Sequence, residues 1–372
     1  MYHSAGWSVA VIDSHPFGGT CAVRDCDPKK VLIGFSELVT SYNRVKGKGV
    51  SADNLKIDWE RLMQFKRTFT DTVQSREKGY RNAGIDTYHG RAHFTGKDTI
   101  KVGDSELKAK YFMLGAGSRP MPLNVPAEEH IAISVDFLEL DKLPKKIVFI
   151  GGGYISFEFA NIAARAGVDV TIIHRSAKAL KRFDQDLVAW VFEGMGEAGI
   201  KVLLNTPLAS VEKTAGGYTV HTAGEKGDLK LNADLVVHGA GRVPDIEDMG
   251  LETAGVEYSR RGITVNNYLQ SVSNPIVYSA GDAAETEGLT LTPVGTLEGI
   301  TAALNILKSN RKTPDYRGIP TVTFTIPPLA SVGLTEEQAA SKGLHFRVNK
   351  SETSGWYSSK RLGEKHSGFK VR

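Results

Sequence analysis

Between residues 145 and 176 the sequence reads KKIVFIGGGYISFEFANIAARAGVDVTIIHRS. Residues 147–150 and 168–173 are rich in Val and Ile, which predicts two strands, and the stretch between them has the length of a helix. Three glycines stand at the turn from the first strand into this helix: Gly151, Gly152 and Gly153. This order is typical of a βαβ unit that binds a dinucleotide, because glycines let the pyrophosphate approach the N–H groups at the helix start. A glycine turn that binds no nucleotide is the alternative.

The residues after the second strand indicate which nucleotide such a unit would bind. A carboxylate about 20 residues after the first glycine binds the ribose 2′-hydroxyl of NAD in units of this kind. The sequence has a basic cluster there instead: His174, Arg175, Lys178, Lys181 and Arg182. Basic side chains can pair with a 2′-phosphate, so the sequence favours NADPH over NADH. The alternative is a solvated basic loop.

Two residues of the predicted helix carry candidate chemistry. Tyr154 and Glu158 are four positions apart, so they share one helix face. Phe157 and Phe159 flank Glu158, and a carboxylate buried in such an apolar helix needs a cation. Lys29 is the candidate partner, and a solvent-facing Glu158 is the alternative.

The only two cysteines of the chain lie in the segment GGTCAVRDCDPKK, residues 18–30. Five residues of regular helix advance about 7.5 Å, beyond the roughly 7 Å between Cα atoms that a disulfide allows, so an undistorted helix would keep Cys21 and Cys26 apart. The glycine pair and Pro28 permit a distortion, and we expect Cys21 at the lip of a helix that carries Cys26. The helix start and nearby lysines would lower a thiol pKa. The alternative is a pair of reduced, buried thiols; few other ligands lie near, so we expect no metal.

Length, charge and composition limit the class of protein. The chain has 372 residues, a formal net charge of +4 and 41% apolar residues, which suits two or three domains. The sequence has no basic block that resembles a nucleic-acid arm, no apolar run long enough to span a bilayer and no signal-peptide pattern. We therefore expect a soluble, cytoplasmic protein that binds neither nucleic acid nor membrane. In a reducing compartment, a lone cysteine pair is usually redox-active rather than structural.

A second nucleotide site is indicated near the N-terminus. Residues 9–13 form a predicted buried strand that ends in Asp13, and an acid at that point suits the second strand of another dinucleotide unit. The matching glycine turn would lie about 20 residues earlier, before Met1. We therefore expect this domain to lack its first strand, phosphate turn and helix.

These motifs together resemble the flavoprotein pyridine nucleotide-disulfide oxidoreductases, the family of glutathione reductase, dihydrolipoamide dehydrogenase and mercuric reductase. The cysteine motif comes first in the chain. The other matching segments follow in the family's order: residues 114–120 (LGAGSRP), 241–244 (GRVP), 279–282 (SAGD), 291–294 (LTPV) and 320–336. The resemblance covers essentially the whole sequence.

The resemblance implies an α/β fold with two Rossmann-like, three-layer nucleotide-binding domains and the start of an α+β interface domain. The implied boundaries are 1–120 and 244–315 for a discontinuous FAD-binding domain, 121–243 for the NADPH-binding domain, and 316–372 for an interface domain that is incomplete at its C-terminal end. Within the first segment we expect a helix over residues 58–83, capped by Asp58, and a hairpin over residues 88–102.

The resemblance also implies a mechanism with FAD and NADPH as cofactors. NADPH would reduce the flavin, which would pass two electrons to the disulfide of Cys21 and Cys26 and on to a small-molecule disulfide. Cys26 would lie nearer the flavin, and Cys21 would be the interchange thiol. Lys29 and Glu158 would form an ion pair beside the flavin, and the Tyr154 ring would move aside for nicotinamide. Cofactor-binding roles fall on a wider set: Asp13, Gly19, Thr20, Lys29, Ala92, Gly117, Asp282, Thr292, Gly151, Gly152, Gly153, Ile155, Glu158, His174, Arg175, Arg182 and Gly241.

The sequence departs from the family pattern at two places. Asp25 stands before the second cysteine, where the family has glycine, and its charge should raise the pKa of Cys26 unless Arg24 or the helix start offsets it. Family members also supply a His and Glu pair across a homodimer, to protonate the leaving thiolate. The sequence ends inside the interface domain, and neither His345 nor His366 matches that pair, so we assign neither a role.

Three functional hypotheses follow. The first is an NADPH-dependent disulfide reductase like glutathione reductase, which acts in cell redox homeostasis and forms a homodimer in its full-length relatives. The second is a truncated, catalytically impaired derivative that acts at most as a nucleotide-binding module. The third is a mercuric reductase-like or other NAD(P)H-flavin oxidoreductase.

Overall fold

The computed structural model describes residues 1–51, 55–224 and 227–371. The helices in these residues are α1 (Gly19–Arg24), α2 (Cys26–Val45), α3 (Trp59–Thr70), α4 (Arg76–Asn82), α5 (Ser134–Leu138), α6 (Tyr154–Arg165), α7 (Gln185–Glu197), α8 (Thr292–Lys308), α9 (Glu336–Ser341) and α10 (Tyr357–Leu362). Short 3₁₀ turns lie at His3–Ala5, Asp71–Ser75, Glu128–His130 and Gly281–Ala283. Among the described helices, none has both the length and the apolar character needed to cross a membrane.

The strands of the first half are β1 (Ala10–Asp13), β2 (Asp86–His89), β3 (Ala92–Phe94), β4 (Thr99–Val102), β5 (Ser105–Lys108), β6 (Phe112–Leu114), β7 (Ser118–Pro120), β8 (Lys146–Ile150) and β9 (Asp169–Ile173). Those of the middle are β10 (Lys201–Leu203), β11 (Leu208–Thr214), β12 (Gly217–Thr222), β13 (Lys230–Ala233), β14 (Leu235–His238), β15 (Arg242–Pro244), β16 (Tyr258–Ser259) and β17 (Gly262–Thr264). The remaining strands are β18 (Val277–Ser279), β19 (Ala284–Glu285), β20 (Pro320–Thr323), β21 (Leu329–Val332), β22 (Asn349–Glu352) and β23 (Gly368–Val371).

The chain divides by its internal contacts into two compact units. The first unit comprises Met1–Val23, Asp71–Met121 and Arg242–Ile319, and the second comprises Arg24–Thr70, Pro122–Gly241 and Pro320–Arg372. The predicted domain borders near residues 121, 243 and 315 lie close to three of these breaks. The second unit, however, includes Arg24–Thr70, which the domain prediction placed in the FAD-binding segment.

The second unit is built on a parallel sheet with the strand order β10, β9, β8, β14. Side chains of β8 alternate between two apolar clusters. Ile147 and Phe149 pack in a cluster with the helices, whereas Val148 and Ile150 pack in a cluster with β11 and β12. The sheet therefore lies between a helical layer and an antiparallel sheet of β11, β12 and β13. The predicted βαβ order is confirmed by β8, α6 and β9.

Polar contacts explain why Arg24–Thr70 groups with the second unit. The Lys66 ammonium is fully buried and donates to the Leu138 carbonyl at 2.8 Å and to the Glu139 carboxylate at 2.6 Å. The Trp59 indole N–H donates to the Leu140 carbonyl at 2.7 Å. Because buried polar groups are costly without partners, these bonds fix α3 against the chain around α5.

The first unit consists mainly of small sheets. Strand β1 pairs in parallel with β2, β6 pairs in parallel with β18, and β7 pairs antiparallel with β15. Phe94, Phe112 and Val277 form part of its main apolar cluster. The strand predicted over residues 9–13 is present as β1, but the prediction that it is buried was wrong. The residues of β1 are exposed or partly exposed, and β2 is its hydrogen-bonded neighbour within the described residues.

The helix predicted to carry Cys26 also differs from the structure. We expected Cys21 at the lip of one helix, but it lies inside the separate helix α1, while Cys26 is the first residue of α2. Asp25 interrupts the two helices with φ −153° and ψ −91°, values outside the helical region. The interruption supplies the predicted distortion, but it lies at Asp25 rather than at the glycine pair.

Two further predictions in the first segment hold only in part. The expected helix over residues 58–83 is divided into α3 and α4 by the 3₁₀ turn Asp71–Ser75. Asp58 does cap its start, because its carboxylate accepts the Arg61 N–H at 3.1 Å. The predicted hairpin is formed by β3 and β4, whereas Tyr88 belongs to β2 and pairs with Ile12.

The C-terminal segment of the second unit forms two antiparallel pairs, β20 with β21 and β22 with β23. Lys370 of β23 is almost fully buried and binds Asp184, Asp186 and Glu336. Asp184 is the N-cap residue of α7, with its side chain accepting the Asp186 N–H. Lys370 therefore attaches the last described strand to the start of α7.

Candidate functional site

The glycine turn between β8 and α6 has little room for side chains at two of its three glycines. Gly151 has φ +113°, and a Cβ there would overlap the carbonyl oxygen of Gly239. A Cβ at Gly152 would come within 2.7 Å of the His174 ring. The position of Gly153 is more open, since its nearest contact would be at 3.7 Å. The turn therefore needs glycine and leaves the N-terminal N–H groups of α6 available to an anion.

Ser156 occupies the third small position of the nucleotide pattern and is fully buried. Its hydroxyl donates to the Ile150 carbonyl at 3.3 Å. A Cβ at Gly239, just after β14, would overlap this hydroxyl. The absence of a side chain at Gly239 thus makes room for serine at this position.

His174 belongs to the glycine turn rather than to the charged loop. Its ring packs on Gly152, and Nε2 lies 3.1 Å from the Lys178 carbonyl oxygen. Burial lowers the pKa of His174 from its usual 6.5, the hydrogen bond to the Lys178 carbonyl opposes this shift, and the charges of Lys181 and Arg175 add to it. The net effect favours the neutral form of the ring.

The positive charge near the end of β9 comes from the other basic residues of the cluster. Arg175, Lys181 and Arg182 are exposed. Lys178 is exposed as well, and its ammonium pairs with Glu337 at 3.4 Å. Arg175 directly follows His174 and is the cluster's exposed guanidinium nearest to the glycine turn in sequence.

A buried ion pair joins the helix that begins at Cys26 to the helix that follows the glycine turn. Lys29 Nζ of α2 lies 2.6 Å from Glu158 Oε2 of α6, with side-chain exposures of 10% and 3%. The other carboxylate oxygen, Oε1, accepts the backbone N–H of Phe324 at 2.8 Å. The ion pair expected from the sequence is present, and the solvent-facing alternative for Glu158 is excluded.

The charges around Glu158 oppose one another. Burial raises the pKa of Glu158, while the Lys29 ammonium and the Phe324 N–H act to lower it. Asp25 adds a smaller upward contribution. The ammonium groups of Lys29 and Lys30 also lie 5.1 and 5.6 Å from the centre of the Phe324 ring, within cation–π range.

Tyr154 is the first residue of α6, immediately after the glycine turn. Its hydroxyl lies 2.5 Å from the Thr321 hydroxyl, and its ring packs edge-on against Phe183 at 5.8 Å. Ile155 follows it on the helix and is partly buried. No sequence pattern pairs Tyr154 with Thr321, which lies in the distant strand β20.

The two cysteines are thiols, and each is partly buried. Cys26 opens the 20-residue helix α2. A helix start carries partial positive charge, which stabilises a thiolate. Cys21 belongs to the first unit and Cys26 to the second.

The remaining predicted flavin residues lie in the first unit. Asp13 ends β1, and its carboxylate accepts the His15 N–H at 2.9 Å. Gly19 begins α1 with φ +74°, and Thr20 beside it is exposed. Ala92 begins β3, and Thr292 begins α8.

Asp282 is half-buried in a polar group of side chains. It accepts the Ser118 hydroxyl at 2.7 Å, and Arg242 Nε donates to the same hydroxyl oxygen at 2.9 Å. Gly117 and Gly241, both with positive φ, precede the paired strands β7 and β15. The two motif segments 114–120 and 241–244 therefore meet next to Asp282, which sequence spacing alone could not show.

The sequence motifs do not point to Glu298 of α8. It is 1% exposed and accepts three hydrogen bonds at 2.7 Å, from the Gly281 N–H, the Thr286 hydroxyl and the Tyr316 hydroxyl. Burial and the adjacent Glu298 raise the pKa of Tyr316. A carboxylate inside the apolar stretch of α8 is the same signal that identified Glu158.

Comparison with known proteins bears on the fold and on these motifs. The model of the family described as "Pyridine nucleotide-disulphide oxidoreductase" matches residues 2–300, and the model of its dimerisation domain matches residues 319–371. The chain belongs to the pyridine nucleotide-disulphide oxidoreductase family. This result confirms the family resemblance, the α/β fold class and the expected enzyme class of FAD-dependent oxidoreductases.

Individual relatives carry different names. The chain is 32% identical to the glutathione reductase of Nostoc sp., covering 91% of this chain and 76% of the relative. It is 30% identical to the mercuric reductase of Staphylococcus aureus, covering 92% of this chain and 63% of the relative. Among solved structures, the HOCl-induced flavoprotein disulfide reductase RclA of Escherichia coli matches with a TM-score of 0.84 at 24% identity, covering 99% of this chain and 81% of that one. The last match concerns the fold alone.

Proposed function

We propose that the chain is an NADPH-dependent flavoprotein disulfide reductase that uses Cys21 and Cys26 to reduce a small-molecule disulfide. The ion pair of Lys29 and Glu158 carries this proposal. It is buried, its atoms lie 2.6 Å apart, and it joins the cysteine helix α2 to the dinucleotide helix α6. A buried ion pair is costly to desolvate, so its place between these two helices favours a functional use.

The donor and acceptor groups of the first unit suit FAD. The carboxylates of Asp13 and Asp282 can accept from ribose and ribityl hydroxyls, and the start of α8 at Thr292 offers N–H groups to a carbonyl edge. FAD, when bound, would supply two-electron chemistry between the nucleotide and the cysteines. We assign the segments 1–120 and 244–315 to the FAD-binding domain and 121–243 to the NADPH-binding domain.

The cysteines would carry out thiol-disulfide exchange. Cys21 as a thiolate attacks one sulfur of the substrate disulfide, forms a mixed disulfide and releases the other half as a thiolate. Cys26 then attacks the Cys21 sulfur, which releases the second half and leaves a disulfide between the two cysteines. The position of Cys26 at the start of α2 favours its thiolate form, and Asp25 opposes it.

Disulfide-dependent oxidation of NADPH tests the proposed reaction. With glutathione disulfide and other small disulfides as probes, we expect the wild-type protein to oxidise NADPH only when a disulfide is present. Cys26→Ser should lose this activity and still bind NADPH. Disulfide reduction by Cys26→Ser at the wild-type rate would contradict the proposal.

The nucleotide choice rests on the exposed basic side chains after β9. Arg175→Ala should raise the KM for NADPH by about 10-fold, the effect of losing one charge-assisted hydrogen bond, and should leave the KM for NADH nearly unchanged. Lys230→Ala, an exposed cation of β13 in the same unit, is the matched control. Equal effects of Arg175→Ala on both nucleotides would remove the argument for NADPH.

We also propose that the chain acts as a homodimer. The match of residues 319–371 to a dimerisation domain supports this, as does the exposure of apolar side chains there, including Val332 at 63% and Tyr357 at 82%. Light scattering at several protein concentrations would test it, and a monomer mass at all of them would oppose it.

A further inference from the structure

One face of α6 is bonded along its length to the segment that begins with β20. The face consists of Tyr154, Glu158, Asn161 and Arg165, which lie four, three and four positions apart. Their partners follow the other segment in order: the Thr321 hydroxyl at 2.5 Å, the Phe324 N–H at 2.8 Å, the Ile326 N–H at 3.2 Å and the Ile326 carbonyl at 3.1 Å. We call these four contacts the α6 seam. All of its residues belong to the second unit.

The first contact of the seam lies at the nucleotide end of the helix. Tyr154 directly follows Gly153, where a dinucleotide pyrophosphate would meet the N–H groups of α6. Its ring rests against Phe183 in the loop after β9, the same loop that carries the basic cluster. Tyr154 thus adjoins the turn in sequence, and its ring contacts the loop of the basic cluster; these are the two segments that the proposed nucleotide would occupy.

The hydroxyl partner of Tyr154 is well placed to hold this position. Thr321 is 6% exposed and lies in β20, whose antiparallel pairing with β21 fixes its backbone. A hydrogen bond between a buried hydroxyl and a partly buried one is in part shielded from water, so breaking it has a cost that a fully exposed contact would lack.

We propose that Thr321 is a positioning residue that holds the Tyr154 ring in a closed position over the nucleotide turn, so that nucleotide binding must break their hydrogen bond. This inference rests on the proposed function, because it needs a dinucleotide at the glycine turn. It adds a regulatory contact from the segment matched to the dimerisation domain, residues 319–371, to the nucleotide site. The apparent nucleotide affinity is then reduced by the fraction of protein in the closed state.

Three substitutions in β20 test the role of the hydroxyl. Thr321→Val removes the hydroxyl and nearly keeps the side-chain shape, and Thr321→Ser keeps the hydroxyl. Thr323→Val is the matched control, because Thr323 is fully buried in the same strand and its hydroxyl oxygen has no hydrogen-bond partner within the described part of the chain. We expect Thr321→Val to lower the Kd of the nucleotide by about 5-fold, the factor that corresponds to one ordinary net hydrogen bond.

The titration uses the fluorescence of NADPH and, separately, of NADH, and stopped-flow mixing gives the association rate. Thr321→Val should bind faster as well as more tightly, whereas Thr321→Ser and Thr323→Val should stay near the wild-type values. Tyr154→Phe should reproduce the Thr321→Val effect, and the double variant should add little to either single change. A purely structural role for Thr321 would lower thermal stability without raising the affinity.

The outcomes separate the two proposals. If the wild type binds neither nucleotide, the proposed function is wrong and the inference about Thr321 fails with it. If the wild type binds a nucleotide but Thr321→Val leaves the Kd unchanged or raises it, the proposed function stands and the closed position held by Thr321 is refuted. A preference between NADPH and NADH bears on Arg175 and its neighbours and leaves this test unaffected.

Discussion

Replacing Lys29 with methionine should strongly destabilise the second unit. The Lys29 ammonium and the Glu158 carboxylate are 2.6 Å apart, and their side chains are 10% and 3% exposed. Two unit charges at that distance attract by about 6 kcal/mol at an effective dielectric constant of about 20. Part of this attraction only offsets the cost of desolvating the ammonium. The variant has no ammonium and does not incur that cost. Because Glu158 would be left buried with its charge uncompensated by Lys29, we expect Lys29→Met to lower the free energy of unfolding by about 3–5 kcal/mol.

The double variant distinguishes the stability lost with the ion-pair attraction from the cost of leaving a lone charge buried. Lys29→Met combined with Glu158→Leu replaces both ions by apolar side chains of similar size, and such replacements are often neutral in buried pairs. We therefore expect the double variant to recover part of the stability lost by Lys29→Met, the remainder being the cost of the Phe324 N–H, which loses its acceptor. Urea unfolding, followed by circular dichroism and by the fluorescence of Trp59 and Trp190 in this unit, gives the free energies for the double-mutant cycle.

Lys30→Met is the control, because Lys30 is next in sequence but its side chain is 49% exposed and lies 3.9 Å from Asp27. An exposed pair of this kind contributes about 1 kcal/mol or less. If Lys29→Met costs no more than Lys30→Met, the pair of Lys29 and Glu158 is not desolvated in the way its burial indicates. A double variant as unstable as Lys29→Met alone would equally refute the reasoning.

Three more predictions concern other positions. Gly239→Ala should lower the free energy of unfolding by about 1–3 kcal/mol because its Cβ would overlap the Ser156 hydroxyl, and adding Ser156→Gly should recover part of that loss in urea unfolding. The pKa of His174 is lowered from 6.5 in the folded protein, so the unfolded state binds the proton first and the protein should lose stability as the pH falls below 6.5. His174→Asn should therefore flatten the dependence of the urea midpoint on pH between 8 and 5. Parallel curves for the variant and the wild type would contradict this. Glu298→Ala should lower stability by about 3 kcal/mol because it leaves three donors without their acceptor, and a loss under about 1 kcal/mol in thermal and urea unfolding would show that water replaces the carboxylate.

The local sequence pattern was enough to predict the βαβ motif of the second unit. The Val and Ile content of residues 147–150 and 168–173 and the three glycines between them predict β8, the turn and β9 because each signal acts over a few residues. The same local reasoning could not predict that β11 to β13 cover one face of this sheet. That layer depends on residues far apart in sequence, because Val148 of β8 clusters with Val211 of β11 and Val220 of β12.

The cost of burying a charge predicted one long-range contact of the site. An isolated carboxylate between Phe157 and Phe159 needs a cation, and Lys29 supplies it from 129 positions away. The same reasoning applied to α8 would have found Glu298. It would not have named the partners of Glu298, because the Gly281 N–H and the hydroxyls of Thr286 and Tyr316 are neutral donors without a charge signal in the sequence.

The break between α1 and α2 was beyond sequence reasoning for a different reason. Glycine at positions 18 and 19 and proline at position 28 are the residues that ordinarily interrupt a helix, and the prediction relied on them. The structure interrupts the helix at Asp25, which has no strong conformational restriction of its own. The Lys29 N–H still bonds to the Asp25 carbonyl at 3.0 Å, so α2 starts normally after the break. The place of the break therefore does not follow from the residues that ordinarily interrupt a helix.

The charge of Asp25 therefore affects two groups, the Cys26 thiol and the Glu158 carboxylate. Beside Cys26, its charge disfavours a thiolate, which the start of α2 and the nearby lysines favour. Its charge also acts on Glu158, whose pKa it raises, although Lys29 acts more strongly in the opposite direction. The second effect weakens the ionised state of the carboxylate that orients Lys29. Glycine at this position would remove a negative neighbour from both the thiol and the carboxylate. Asp25 therefore acts on Cys26 and on Glu158 in the same direction, because it favours the protonated form of each.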